Sequence, residues 1–287
     1  MAHALVKWWD QVRQRLAGPS RVPRACAAHR TVASAPRSGV PFWSQSTLWV
    51  DGHHAALLGP SGKVLHRLEL PNVADVPAAL TAMEAVVARP RMRGMHGLRV
   101  VLGAPFARYL VLPWQALPRP GDWVTLARRQ FMQAGLSGVE AWRFVVPDGS
   151  WGQSRLAAAV PEALCGGVAR LCKSRGMQLT AIEPAFMLGL STQASRVRDG
   201  AIAVVELEPV AADVAVAHIG FRQEGRWTGF TALPVLGPFA DVMRDASVLC
   251  ATSHPERVYV IASQAGWNMV SGTHGTEWLQ APWDIAA

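Results

Sequence analysis

The segment "AIAVVELEPVAADVAVAHIG" at 201–220 sets two short apolar runs around a stretch carrying Glu206, Glu208 and Asp213. An earlier segment, "STLWVDGHHAALLGPSGKVLHRLEL", has a related form. There an apolar run meets Asp51-Gly52, and the segment reads as two strands joined at Gly59-Pro60-Ser61-Gly62. Apolar runs of this length, bounded by turn residues, predict antiparallel strands joined as hairpins. A chain with one such hairpin opening each half, and helical stretches between, is confined to layered α/β architecture with mixed sheets in two lobes.

The rest of the chain fills that outline. Helices are predicted over "VADVPAALTAMEAVVARP", over 121–135 with Gly135 at its end, and from Pro161 to about Arg175, where Lys173, Arg175 and Gly176 suit a C-terminus. Further helices are predicted over "FMLGLSTQASRV" and "PFADVMRDASVLCAT". Strands are predicted at 98–104, 107–114, 141–147 and 155–160, then at "LTAIEPA", "AIAVVEL", "ADVAVAHIG", "RWTGFTAL" and "RVYVIAS". The expected lobes are 47–178 and 179–287. No short-period repeat is visible, which excludes solenoids and propellers.

Charge separates a third region. Residues 1–40 hold seven of the 28 Lys/Arg and one of the 20 Asp/Glu, so most of the net charge of +8 belongs to an arm rather than to the body. Within it, residues 5–16 place Leu5, Trp8, Trp9, Val12 and Leu16 on one helical stripe, with Lys7, Arg13 and Arg15 mostly elsewhere. Residues 17–46 are rich in Pro, Gly, Ser and Arg and read as a tether. An amphipathic basic helix with Lys7, Trp8, Trp9, Arg13 and Arg15 suits an anionic membrane surface or a groove on a partner protein. Nucleic acid would attract the same charges, but no nucleic-acid-binding module accompanies them. A merely solubilising tail is the plainer reading.

Chemical motifs are sparse. No run is long and apolar enough to cross a membrane, and no secretory leader is visible at the N-terminus, so a cytoplasmic location is expected. Four cysteines in no zinc or redox spacing predict neither a metal site nor a disulfide framework, and Cys165 and Cys172 read as small buried apolar residues. "GPSGK" lacks the spacing of a phosphate-binding P-loop and is a hairpin turn. His53 and His54 are adjacent, which in a strand sends them to opposite faces and argues against a shared metal. Glu206 and Glu208, two apart, share a face; such a pair serves acid/base chemistry in some enzymes, but a solvated strand end is the commoner setting.

The order of elements, with "LWVDGHHAALLGPSGKVL", "LRVVLGAPFARYLVLPW" and "AIAVVELEPVAADVAVAHIGFRQEGRW" in sequence, resembles the actin-like (ribonuclease H-like) ATPase fold. More narrowly it resembles the cytoplasmic assembly-platform proteins of type IV pili and type II secretion. The resemblance implies a two-lobed body preceded by a short amphipathic helix and a flexible basic arm. It also implies three phosphate or nucleoside stations, at Asp51-Gly52, at Glu206 through Asp213, and at the turn containing Gly266.

Each station departs from the pattern. His53, His54, Ala55 and Ala56 follow Asp51 where a hydroxyl or Lys is expected. Glu208 adds a carboxylate and Pro209 removes an N–H, and Gly266 stands without a second glycine. The resemblance therefore implies a pseudo-ATPase scaffold with no cofactor. It would be peripherally associated with the inner membrane and would bind the cytoplasmic segment of a pilus or secretion protein, with a motor ATPase as a further partner. The competing expectations are an ATPase or sugar-kinase-like phosphotransferase using ATP and Mg²⁺, and a nucleic-acid-associated protein using the arm.

Overall fold

The computed structural model describes residues 43–70, 75–90, 95–211, 214–271 and 275–283. The amphipathic segment 5–16 and Asp213 lie outside these residues. The first sheet begins with β1 (Trp43–Val50), β2 (His54–Leu58) and β3 (Val64–Glu69). The opening hairpin thus has three strands where two are predicted. β1 turns into β2 at Asp51-Gly52-His53, and β2 into β3 at the Gly59–Gly62 turn, where Gly62 takes a φ of 79° that favours glycine. After α1 (Val76–Val86), β4 (Met95–Leu102) lies parallel to β1.

A second, smaller sheet follows. β5 (Arg108–Leu112), β6 (Trp142–Val145) and β7 (Arg155–Pro161) pair antiparallel in the order β5-β7-β6. α2 (Pro120–Gln133) covers it through Trp123, Leu126, Ala127 and Phe131. α3 (Glu162–Arg175) ends at Gly176 with φ 69°, as its sequence predicts. Then β8 (Gln178–Pro184) joins the first sheet beside β4, giving the order β3-β2-β1-β4-β8. That sheet therefore runs past the lobe boundary expected at 178/179 and ends at Pro184. Strand membership is a nonlocal property that local patterning does not carry.

α4 (Ala185–Thr192) leads into β9 (Ile202–Ala211), β10 (Val214–Gln223) and β11 (Arg226–Val235), then α5 (Phe239–Leu249), β12 (Arg257–Ala262), α6 (Gln264–Val270) and β13 (Thr276–Gln280). The third sheet runs β11-β10-β9-β12-β13. Both five-stranded sheets have one plan: a three-strand antiparallel meander, then two strands parallel to its first. By strand order the body is the two-lobed, mixed-sheet actin-like arrangement that the sequence implies.

Alternation of side chains along each strand fixes the layers. Leu48 and Val50 face α1 and α3, together with the buried Cys165 and Cys172. Trp49 faces the other way, onto Ala185 and Leu188 of α4. In the third sheet Val205, Leu207, Ala217 and Ile219 face α5 and α6. Ile202, Val204, Tyr259 and Ile261 face back towards Phe186 of α4 and Tyr109 of β5. α4 is thus held between the two large sheets, and the inward faces of both lobes meet around it. Trp283, beyond β13, stacks on Trp49 with ring centroids 4.5 Å apart and planes 6° apart.

Candidate functional site

The inner faces of the two lobes bring together Asp51 from the end of β1 and Glu206 and Glu208 from β9. Asp51 is spent on its own turn. Its Oδ1 accepts the backbone N–H of His53 at 2.7 Å and of His54 at 2.6 Å, and its Oδ2 accepts the Trp49 indole N–H at 3.0 Å. The His54 ring approaches to 3.3 Å. Burial works to raise the Asp51 pKa, but the His54 side chain, the His53 N–H and Trp49 together hold it below the ordinary carboxylate value. Gly103, at the end of β4, makes this packing possible: a Cβ there would lie 2.9 Å from the Trp49 ring and 3.2 Å from the Asp51 Cβ.

β9 continues to Ala211, so Glu206 and Glu208 are strand residues and not part of the hairpin turn that the sequence suggests. Because Val205 and Leu207 point into the α5/α6 core, Glu206 and Glu208 point into the first lobe. They are buried, at 3 % and 8 % exposure, which corrects the expectation of a solvated strand end. A strand's alternation says that two residues share a face; it does not say whether another lobe covers that face.

Glu208 reaches across the cleft and accepts the backbone N–H groups of Gly52 and Ala104, which follow β1 and β4. Burial, Asp51 and Glu206 push its pKa well above the usual range, against the pull of those two hydrogen bonds. Burial, and secondarily Asp51, raises Glu206 to about 8.

Two residues not singled out in the sequence complete the site. His218 on β10 stands opposite Glu206, and its Nε2 is buried without a hydrogen-bond partner. Burial, with Arg108 adding to it, lowers its pKa to about 4. Tyr109 accepts the Phe186 N–H on its hydroxyl at 3.1 Å, and burial with Glu206 nearby raises its pKa well above 10. The available signal was slight: one polar residue inside "VAVAHIG", and one of only two tyrosines in the chain.

Gly266 is not in a turn. It lies in the first turn of α6, where its N–H donates to the Ser263 hydroxyl at 3.2 Å. α6 sits on the outer face of the third sheet, opposite the carboxylates. The structure therefore unites Asp51, Gly52 and Glu206, adds Glu208, and keeps Gly266 apart. His53 lies in the β1–β2 turn and His54 opens β2, their ring centroids 6.1 Å apart. Among the described residues no group of three His, Cys, Asp or Glu side chains is placed to hold a metal ion.

These residues do not fit a nucleotide's phosphates. In a phosphate cradle the turn N–H groups point at the ligand. Here the N–H groups of Gly52, His53, His54 and Ala104 are all taken by carboxylates of the chain itself.

No family model matches the sequence, and no curated protein matches it. Solved structures do. The chain is similar to a protein of unknown function with the actin-like ATPase fold from Bacteroides thetaiotaomicron, at 7 % identity, over 77 % of this chain and 81 % of that one, with a TM-score of 0.48. It is similar to the cytoplasmic domain of EpsL, an inner-membrane component of the type II secretion system of Vibrio cholerae, at 11 % identity, 83 % and 89 % coverage and a TM-score of 0.45. It is also similar to a chain of the PilM–PilN type IV pilus biogenesis complex, at 13 % identity, 84 % and 90 % coverage and a TM-score of 0.47. These likenesses are of fold. Among the described residues no helix is long and apolar enough to cross a membrane.

Proposed function

We propose that this protein is a non-catalytic scaffold on the actin-like fold, whose cleft is closed by its own carboxylates where relatives of that fold hold a nucleotide. The observation that carries the reading is the Glu208 carboxylate on the N–H groups of Gly52 and Ala104. It links the lobes through the same backbone donors that a phosphate would use. The setting follows from the sequence resemblance: the cytoplasmic face of an inner membrane, in a pilus or secretion-type assembly, with the cytoplasmic segment of a membrane protein as partner and a motor ATPase as a further candidate.

Isothermal calorimetry of the full chain with ATP, with and without Mg²⁺, tests the cleft. No heat at 1 mM nucleotide is expected. Mg²⁺-dependent binding in the micromolar range that Asp51→Ala abolishes would overturn the reading and favour an ATPase or phosphotransferase. Capture of candidate membrane-protein cytoplasmic segments on the immobilised chain tests the setting separately.

A further inference from the structure

Nine large hydrophobic side chains are exposed among the described residues, and two of them stand side by side at the end of α5: Val248 and Leu249, at 74 % and 65 % exposure. Among the described residues β11 is the outer strand of the third sheet. Its first half is covered by the smaller sheet, where the Ser154 hydroxyl donates to the Trp227 carbonyl and Phe230 packs against Tyr109 at 5.1 Å. Beside its second half a groove opens, with a volume of about 480 Å³, lined by Leu233, Pro234, Val242, Asp245, Val248 and Leu249. The core of the lobe and this groove share only Val242 of α5. Its inward stripe is Phe239, Val242, Met243 and Ala246, and Val248 and Leu249 form a second apolar surface at the helix end.

The rim of the groove is acidic on a basic protein. Asp245 lines it and Asp241 lies one turn back, with Arg244 between them at 3.0 Å from Asp241 and 3.5 Å from Asp245. Two carboxylates against one guanidinium leave a negative excess where the chain as a whole carries +8.

Residues 5–16, outside the described residues, have the complementary chemistry. Leu5, Trp8, Trp9, Val12 and Leu16 recur at the spacing of one helical face, flanked by Lys7, Arg13 and Arg15. As a helix those 12 residues would be about 18 Å long, and the 11 residues of α5 span about 16 Å. The 26 residues from 17 to 42 connect this segment to β1. A coil of that length would have a root-mean-square span of about 28 Å, beyond the ~18 Å radius of gyration of a compact body this size.

We infer that residues 5–16 dock in the groove between β11 and α5 of their own chain, laying the Trp8/Trp9 stripe on Leu233, Val248 and Leu249 with Lys7, Arg13 and Arg15 towards Asp241 and Asp245. The apolar stripe and the apolar groove then shield one another. A membrane surface or partner that takes the stripe uncovers the groove.

Amide hydrogen exchange on the full chain tests this with two reciprocal double variants. Trp8→Asp with Trp9→Asp should speed exchange at 231–236 and 239–249 at least tenfold and leave the first lobe unchanged. Val248→Asp with Leu249→Asp should speed exchange across 5–16 by a similar factor. Wild-type rates in the groove of the Trp variant would overturn the docking. So would protection that fades on dilution, since that places the segment on a second copy. If the Val248/Leu249 variant unfolds, the Trp variant decides alone, because it alters no described residue.

Discussion

His218 stands directly opposite Glu206 across the β9–β10 ladder, so two titratable side chains share one buried face without either being charged by the other. Glu206 is raised to about 8 and His218 is lowered to about 4, both chiefly by burial. Between these values the pair is held neutral, a glutamic acid beside a neutral imidazole.

That arrangement makes stability fall on both sides of a window. The Glu206 pKa is higher folded than unfolded, so its contribution is complete below 4.5 and lost as pH rises through about 8. The His218 pKa is lower folded than unfolded, so its contribution is complete above 6.5 and lost as pH falls through about 4. Urea midpoints across pH 4 to 9 should peak near pH 5 to 6.5, with an alkaline loss on the order of a few kcal/mol. Glu206→Gln should shrink the alkaline limb to the share that the likewise raised Glu208 contributes, and leave the acid limb in place. An unchanged alkaline limb would show that Glu206 does not titrate there.

Glu208 separates hydrogen bonding from charge. Glu208→Gln keeps an oxygen for the Gly52 and Ala104 N–H groups while removing a carboxyl that burial and two acidic neighbours oppose. At pH 8 it should be at least as stable as the parent by urea denaturation. Glu208→Ala leaves both donors unmet and should lose about 1–3 kcal/mol for each that water does not reach. The alanine variant also frees two N–H groups, and inorganic phosphate at millimolar concentration should raise its melting temperature while leaving the parent's unmoved.

Asp51 acts on the site at a distance. It holds the β1–β2 turn through the N–H groups of His53 and His54, and its charge raises both glutamates. Asp51→Asn should cost about 1–3 kcal/mol at pH 6, where one charge-assisted acceptor is lost. It should also move the alkaline limb of the stability profile to lower pH, because a neutral neighbour lets Glu206 ionise sooner. A limb that moves upward contradicts the coupling.

Gly103→Ala tests the packing beneath Asp51. The added Cβ would meet the Trp49 ring at 2.9 Å, and Trp49 both donates to Asp51 and stacks on Trp283. A loss of about 1–3 kcal/mol is expected from overpacking, with a change in near-ultraviolet circular dichroism as the stacked indoles separate. An unaltered spectrum with unaltered stability would mean that the ring moves aside freely.

Much of the fold was legible because it is written locally. The Gly59–Gly62 turn, the Gly176 helix end and the burial of Cys165 and Cys172 follow from residue type and period. So does the shared face of Glu206 and Glu208. What escaped depends on contacts between distant segments. β8 pairs with β4 across the whole of the smaller sheet, and nothing in "QLTAIEP" says so. α6 is seven residues long, capped by Ser263, and resembles a loop in sequence; β13, with exposed Glu277 and Gln280, lacks the apolar run of its partner β12. The burial of Glu206, Glu208 and His218 requires the other lobe to be present, which no strand pattern can announce.

The stacking of Trp283 on Trp49 has a consequence for synthesis. The indole that closes the α4 side of the first sheet is translated more than two hundred residues after the one it covers. On the ribosome α4 is available to cover part of that face well before Trp283 is made, but the indole stack is completed only when the last described residues have emerged. The early half of the chain thus holds Trp49 against α4 alone until the late half supplies its second cover.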